Sequence, residues 1–156
     1  MRLLSVDPAN VNSAYVLIDT DTFQIYDFGK VENSQLIKYL RESWYDVIAI
    51  EMIASYGMAV GQEVFETCVF IGRLIQIAEI LDVRADRVYR KDVKLNLCGA
   101  PRAKDGNVIQ ALKDRFGVKG TKACHGYFYG FKADCWQAYA VAVTWIDDYK
   151  NKQKEV

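Results

Sequence analysis

Proline is scarce in this sequence, with two residues in 156, and no Pro-, Gly- or Ser-rich stretch divides the chain. A hinge between two domains therefore has no obvious place, and one domain spanning residues 1–156 is expected. Histidine occurs once, at His125, and the four cysteines, Cys68, Cys98, Cys124 and Cys135, include no CxxC pair. A structural zinc needs more closely paired ligands, so the cysteines read as reduced, small apolar packing residues. Charge interrupts every apolar stretch well before the ~20 residues that a membrane-spanning helix requires. No basic region followed by a hydrophobic one opens the chain, so a cytoplasmic location is expected. Internal repeats and low-complexity tracts are absent as well.

Net charge is missing too. Twenty Lys/Arg balance twenty Asp/Glu, which at first argues against a nucleic-acid partner. The distribution changes that conclusion. Residues 1–83 hold five Lys/Arg against twelve Asp/Glu, residues 84–122 hold eleven against four, and residues 123–156 hold four of each. One half of the chain is acidic enough to hold metal ions, and the following segment is basic enough to hold phosphates. Ordinary surface charge is the plain alternative. The composition, 51% hydrophobic and 26% charged, supports a packed core and excludes disorder.

Leu3, Leu4 and Val6 lead to Asp7 and are broken by Pro8 and Asn10, the pattern of a first strand ending in a turn. Ala14 to Ile18 and Phe23 to Phe28 form two more strand-like runs around the polar Asp19-Thr20-Asp21, predicting a hairpin. Ser34 is placed to cap a short helix to Arg41. Val47 to Ile50 is unbroken and apolar, as in a central strand buried on both faces, and it ends at Glu51. Residues 52–59 look like a loop. Apolar residues recur at helical spacing from Val60 to Leu81. Arg87 to Tyr89 suggest a fifth strand, Lys104 to Arg115 a helix ended by Gly117, and Ala133 the start of a last helix. The expected order is β-β-β-α-β-α-β-α-α, an α/β chain with a mixed five-stranded sheet and helices on both faces.

Two acids, Asp7 and Glu51, end apolar strand-like runs, and a third, Asp134, opens the last helix. A carboxylate at the end of a buried strand is costly unless it is paired or binds a metal. Sites in open α/β sheets gather at strand ends, so adjacent first and fourth strands would aim Asp7 and Glu51 into one crevice. Three carboxylates so arranged make a cage for a hard cation such as magnesium, and two ions roughly 3.5–4 Å apart can activate water and stabilise a leaving oxygen. The plain alternatives are a turn or capping role for Asp7 and Glu51, and a first-turn acid favoured by the helix dipole for Asp134.

These residues, taken in order, resemble the RuvC-like Holliday junction resolvases of the ribonuclease H-like superfamily, particularly the short viral and phage members. Leu4-Ser5-Val6-Asp7-Pro8 is similar to the first-strand motif, and Val47-Ile48-Ala49-Ile50-Glu51 to the fourth-strand motif, each ending in a metal-binding acid. Val93-Lys94, Gly99 and Ala103-Lys104 resemble a segment whose lysine contacts the cleaved phosphate, a role carried to Lys104. Asp134 to Ala142 resembles the last-helix motif. Two departures stand out. Pro8 to Asn12 replaces a glycine-rich turn, and Gln137 stands where the family often has a second acid three residues after the first. The resemblance implies a ribonuclease H-like fold and a crossover junction endodeoxyribonuclease that hydrolyses phosphodiesters in four-way and other branched DNA. The catalytic residues implied are Asp7, Glu51, Lys104 and Asp134. The ligands implied are Asp7, Glu51, Asp134 and Gln137, holding two magnesium ions per site, with manganese able to substitute. For a phage-encoded enzyme the cytoplasm is that of its bacterial host.

Arg90, Lys91, Lys94, Arg102, Lys119 and Lys122 are candidates for phosphate contacts in a DNA groove. The resemblance also implies an aromatic or apolar wedge after Glu51, for which Tyr56 is the first choice beside Met58, although a buried loop tyrosine is an equal alternative. Tyr127, Phe128 and Tyr129 either touch DNA or pack the last helix. The helix at 60–81 is apolar on more than one face, including Phe65, Val69 and Phe70. It is either a central core helix or the seam of a two-fold dimer suited to a four-way junction. Three competing functions remain: another ribonuclease H-fold nuclease such as one cutting RNA–DNA hybrids, an inactive junction-binding protein suggested by Gln137, and half of an actin-like kinase. The last needs further glycine-rich phosphate loops that the chain is too short to supply.

Overall fold

The computed structural model of the chain describes residues 1–57 and 59–155. Strands β1 (Arg2–Asp7), β2 (Asn12–Asp19), β3 (Ile25–Glu32), β4 (Val47–Met52) and β5 (Arg84–Tyr89) form one sheet in the order β3-β2-β1-β4-β5. β2 is antiparallel to both β1 and β3, whereas β1, β4 and β5 run parallel. The helices are α1 (Asn33–Glu42), α2 (Gln62–Ile80), α3 (Arg90–Cys98), α4 (Asp105–Phe116) and α5 (Ala133–Lys154).

The unbroken run Val47–Ile50 is buried throughout because helices cover both sides of β4. Val47 and Ala49 join a core built with α5, α3 and α4, while Ile48 and Ile50 join another built with α1 and α2. β1 divides in the same way, Leu3 to the first core and Leu4 and Val6 to the second. α5 lies on the sheet and is buried at Cys135, Trp136 and Ala138 through Ile146. Ala138 and Ala142 stand one turn apart and carry only methyl groups, so backbone and sheet can approach closely. Ser5, the one polar residue inside β1, faces α5, and its hydroxyl donates to the Ala138 carbonyl at 2.6 Å. That bond satisfies a buried hydroxyl and fixes α5 against the strand bearing Asp7.

Three details differ from expectation. β3 begins at Ile25 and continues to Glu32. Phe23 sits instead in the preceding turn at φ 59°, where the Asp19 carboxylate accepts from the Asp21 and Thr22 amides. α1 is capped not by Ser34 but by a reciprocal box between Glu32 and Gln35. α3 was not expected at all. Its sequence RKDVKLNLC fully buries only Val93, too little periodicity to mark a helix. Its one clear signal is Gly99, whose left-handed conformation (φ 68°) closes the helix.

Candidate active site

Register brings the acids together. Asp7 on β1 lies opposite Ala14 on β2, and Ala14 lies opposite Lys30 on β3. On the other side Val6 lies opposite Ile50, which sets Asp7 level with Glu51. Directly opposed residues share a face of the sheet, and Ala14 belongs to the core under α5. The row Lys30, Ala14, Asp7, Glu51 therefore runs across the carboxyl ends of β1 and β4, where the sheet changes from antiparallel to parallel connection. Asp134 occupies the first turn of α5 on the same side. Gln137 follows one turn later and is half-buried.

The three acids have different surroundings. Glu51 is 9% exposed, and its carboxylate accepts from the Arg90 guanidinium at 2.9 Å. Burial raises its pKa, and Arg90 opposes that rise. Asp134 is paired with the Lys30 ammonium. Asp7 has no hydrogen-bond or ion-pair partner among the described residues, and burial, then repulsion from Glu51 and Asp134, pushes its pKa from 3.8 up to about 8. A carboxylate that resists ionising for these reasons is one that a cation would relieve.

Arg90, expected as a phosphate contact, is engaged inside the site. It bridges Glu51 and, at 2.8 Å, Asp105 of α4. Lys94 also reaches Asp105, at 3.5 Å, with a side chain only 20% exposed. Asp105 follows Lys104, the exposed residue that precedes α4, so the Arg90 bridge ties the Lys104 turn to the acid centre. Lys91, Arg102, Lys119 and Lys122 are exposed. The last two sit on a tight loop held by a bridge between Gly120 and His125. A side chain on Gly126 would meet the Val118 carbonyl at 2.0 Å. Tyr56 is 66% exposed on the segment after β4, and Met58 lies outside the described residues.

The aromatic loop before α5 is mainly structural. Phe128 is fully buried against Phe131 and Trp136, with ring centroids 5.1 and 4.6 Å away. The Tyr127 hydroxyl meets that of Tyr139 at 2.8 Å. Tyr129 stacks on His125 at the surface. The sequence reading missed Lys30 and Asp105. Lys30 is two residues beyond Phe28, so carrying the strand alternation two positions further would have put it on the α5 face.

The donor set suits a hard cation: acid oxygens from Asp7, Glu51 and Asp134, and the Gln137 amide. The unpartnered, self-repelled Asp7 is the observation that fits such an ion best. In this conformation Arg90 and Lys30 each hold one of the other acids. Among the described residues, no three acidic, thiol or imidazole groups close around one point.

Comparison by sequence finds no matching family model and no matching curated relative. Comparison by structure does. Thermus thermophilus RuvC matches over 97% of both chains with a TM-score of 0.73 at 13% identity. T. thermophilus RuvC in complex with a Holliday junction substrate matches over 92% of both chains, at 0.68 and 14%. The yeast mitochondrial Holliday junction resolvase Ydc2 matches over 99% of this chain and 83% of its own, at 0.67 and 14%. The chain has the RuvC-type, ribonuclease H-like fold.

Proposed function

We propose that this protein is a structure-selective endonuclease that hydrolyses phosphodiesters in branched DNA, chiefly four-way junctions, with the help of a divalent metal. One observation carries the proposal: carboxylates from two adjacent strand ends and one helix start lie on one side of the sheet, and the half-buried Asp7 has no partner among the described residues and is repelled by the other two. The RuvC-type fold supports it, since a neighbour with that fold has been solved on a Holliday junction. Asp7, Glu51 and Asp134, with the Gln137 amide oxygen, would hold the ion. Magnesium or manganese, when bound, supplies Lewis-acid polarisation of the phosphate and a water acidic enough to attack.

The chain's own residues do the rest. Lys104, exposed and next in the chain to the Arg90-bound Asp105, would supply positive charge for the phosphate as negative charge develops on it. Lys91, Arg102, Lys119 and Lys122 hold backbone phosphates without reading sequence. Arg90 and Lys94 position Asp105 and the Lys104 turn. Tyr56 can stack on a base exposed at the branch point, an interaction worth roughly 1–3 kcal/mol.

Pairing of two copies completes the proposal. α2 buries Phe70, Ile71, Leu74 and Ile77 against the sheet, yet leaves Phe65 and Val69 61% and 62% exposed one turn apart. A two-fold seam along that stripe gives two sites for two symmetric cuts. Among the described residues, no helix is long and apolar enough to cross a membrane.

A second reading, a junction binder that does not cut, draws on the neutral Gln137 and on the cations that hold Glu51 and Asp134. Incubation of the protein with a synthetic four-way junction, the matching duplex and an RNA–DNA hybrid, with and without magnesium, separates the possibilities. Paired, metal-dependent nicks confined to the junction are expected. Retardation of the junction without cleavage supports the binder, and equal cutting of duplex or hybrid refutes junction selectivity.

A further inference from the structure

We infer that Lys30 is a built-in counter-cation of the acid centre, held on Asp134 where a second divalent ion would otherwise bind, so that each site takes one divalent ion rather than two. The inference rests on the carboxylate–metal proposal above and narrows its ligand set: Asp7 and Glu51 hold the one ion, and Asp134 stays with Lys30.

The row across the sheet explains how Lys30 reaches its place. Lys30 shares the α5 face with Ala14 and Asp7. Ala14 between them is a methyl group buried in the core, so nothing bulky on β2 blocks the lysine stem from passing toward Asp134. The ammonium then pairs with the Asp134 carboxylate, with both side chains a little under half exposed. A long, flexible cation on an edge strand has easier destinations in solvent, so this placement needs the acid to hold it.

The two cations of the centre differ in what they can give up. Arg90 has a second carboxylate, Asp105, at 2.8 Å. It can leave Glu51 for an incoming ion and remain paired. Lys30 pairs with Asp134 alone among the described residues. Once Arg90 turns wholly to Asp105, Asp7 and Glu51 present two negative charges, which match one divalent cation. α5 contributes no further net charge: Asp134 is neutralised by Lys30, and the next residue on that side, Gln137, is an amide. A second ion would have to expel Lys30 into water and leave its positive charge beside two metals.

Manganese binding to the purified 156-residue chain tests this directly, counted from the loss of the free-ion electron paramagnetic resonance signal. Wild type is expected to bind one Mn2+ per chain. Lys30→Met keeps the stem but removes the charge, and is expected to bind a second ion at least tenfold more tightly than any second binding to wild type. Lys30→Arg is expected to keep the count at one. Two ions of similar affinity in wild type overturn the inference, as does a Lys30→Met titration that superimposes on wild type. An ion retained by Asp7→Asn lies elsewhere and overturns the assignment. No bound manganese in wild type overturns this inference and the metal-site proposal together, whereas an unchanged Lys30→Met titration overturns this inference alone.

Discussion

The acid centre and the basic segment 84–122 are built on opposite plans. The acids sit at the ends of β1 and β4 and at the start of α5, on backbone that register and a buried core hold in place. The segment's candidate phosphate contacts sit on the short helix α3, on the turn before α4 and on a loop, and most of those side chains are exposed. Chemistry on a phosphate needs groups fixed to a fraction of an ångström. Holding a flexible polyanion needs charge on adaptable side chains, because phosphate contacts position without reading sequence. The exceptions are instructive. Arg90 and Lys94 belong to the basic segment, but Glu51 and Asp105 draw them into the rigid half.

That contrast predicts a graded set of effects. Asp7→Asn should abolish junction cleavage, by on the order of 10³-fold or more in single-turnover rate, while gel-shift affinity for the junction stays near wild type. Equal loss of binding would show that the two halves do not divide the work. Trp136→Ala removes the indole that packs against Phe128 and Phe131 under α5, and should cost about 3–5 kcal/mol in denaturant unfolding. Lys104→Ala should slow cleavage by on the order of 10²-fold with little change in binding. The double change Lys119→Ala and Lys122→Ala should do the reverse. It should leave the rate at saturating enzyme unchanged and lower the salt dependence of junction binding by about two in log–log slope.

The same contrast explains what the sequence revealed. Asp7 and Glu51 were legible because an acid that ends a buried apolar run is anomalous, and the parallel pairing of β1 and β4 makes two such anomalies neighbours. Asp134 was legible only through the family resemblance, since a first-turn acid is ordinary in any helix. Lys30 was not legible because its role depends on a register across three strands, and β3 runs four residues past its last evident apolar alternation. The Arg90 bridge was hidden for a similar reason. Its partners, Glu51 and Asp105, lie 39 and 15 residues away, and α3, which carries it, has almost no apolar face. Exposed cations can be counted in a sequence, but which of them turn inward is decided by tertiary placement.

The central claim is that the acid centre is a metal site made of carboxylates that repel one another, and thermal melting at a series of pH values tests it most directly. Asp7 has its folded-state pKa raised from 3.8 to about 8, so the folded state holds that proton more tightly than the unfolded chain. Its contribution to stability is therefore complete below about pH 4 and is lost as pH rises toward 8. At pH 8 without metal, Asp7→Asn should melt above wild type, by roughly 3 °C or more for each ~1 kcal/mol of relieved repulsion in a chain of this size. Millimolar magnesium should raise the wild-type midpoint and leave that of Asp7→Asn in place. Equal metal-free midpoints at pH 8, or the same magnesium shift in both proteins, would contradict the account.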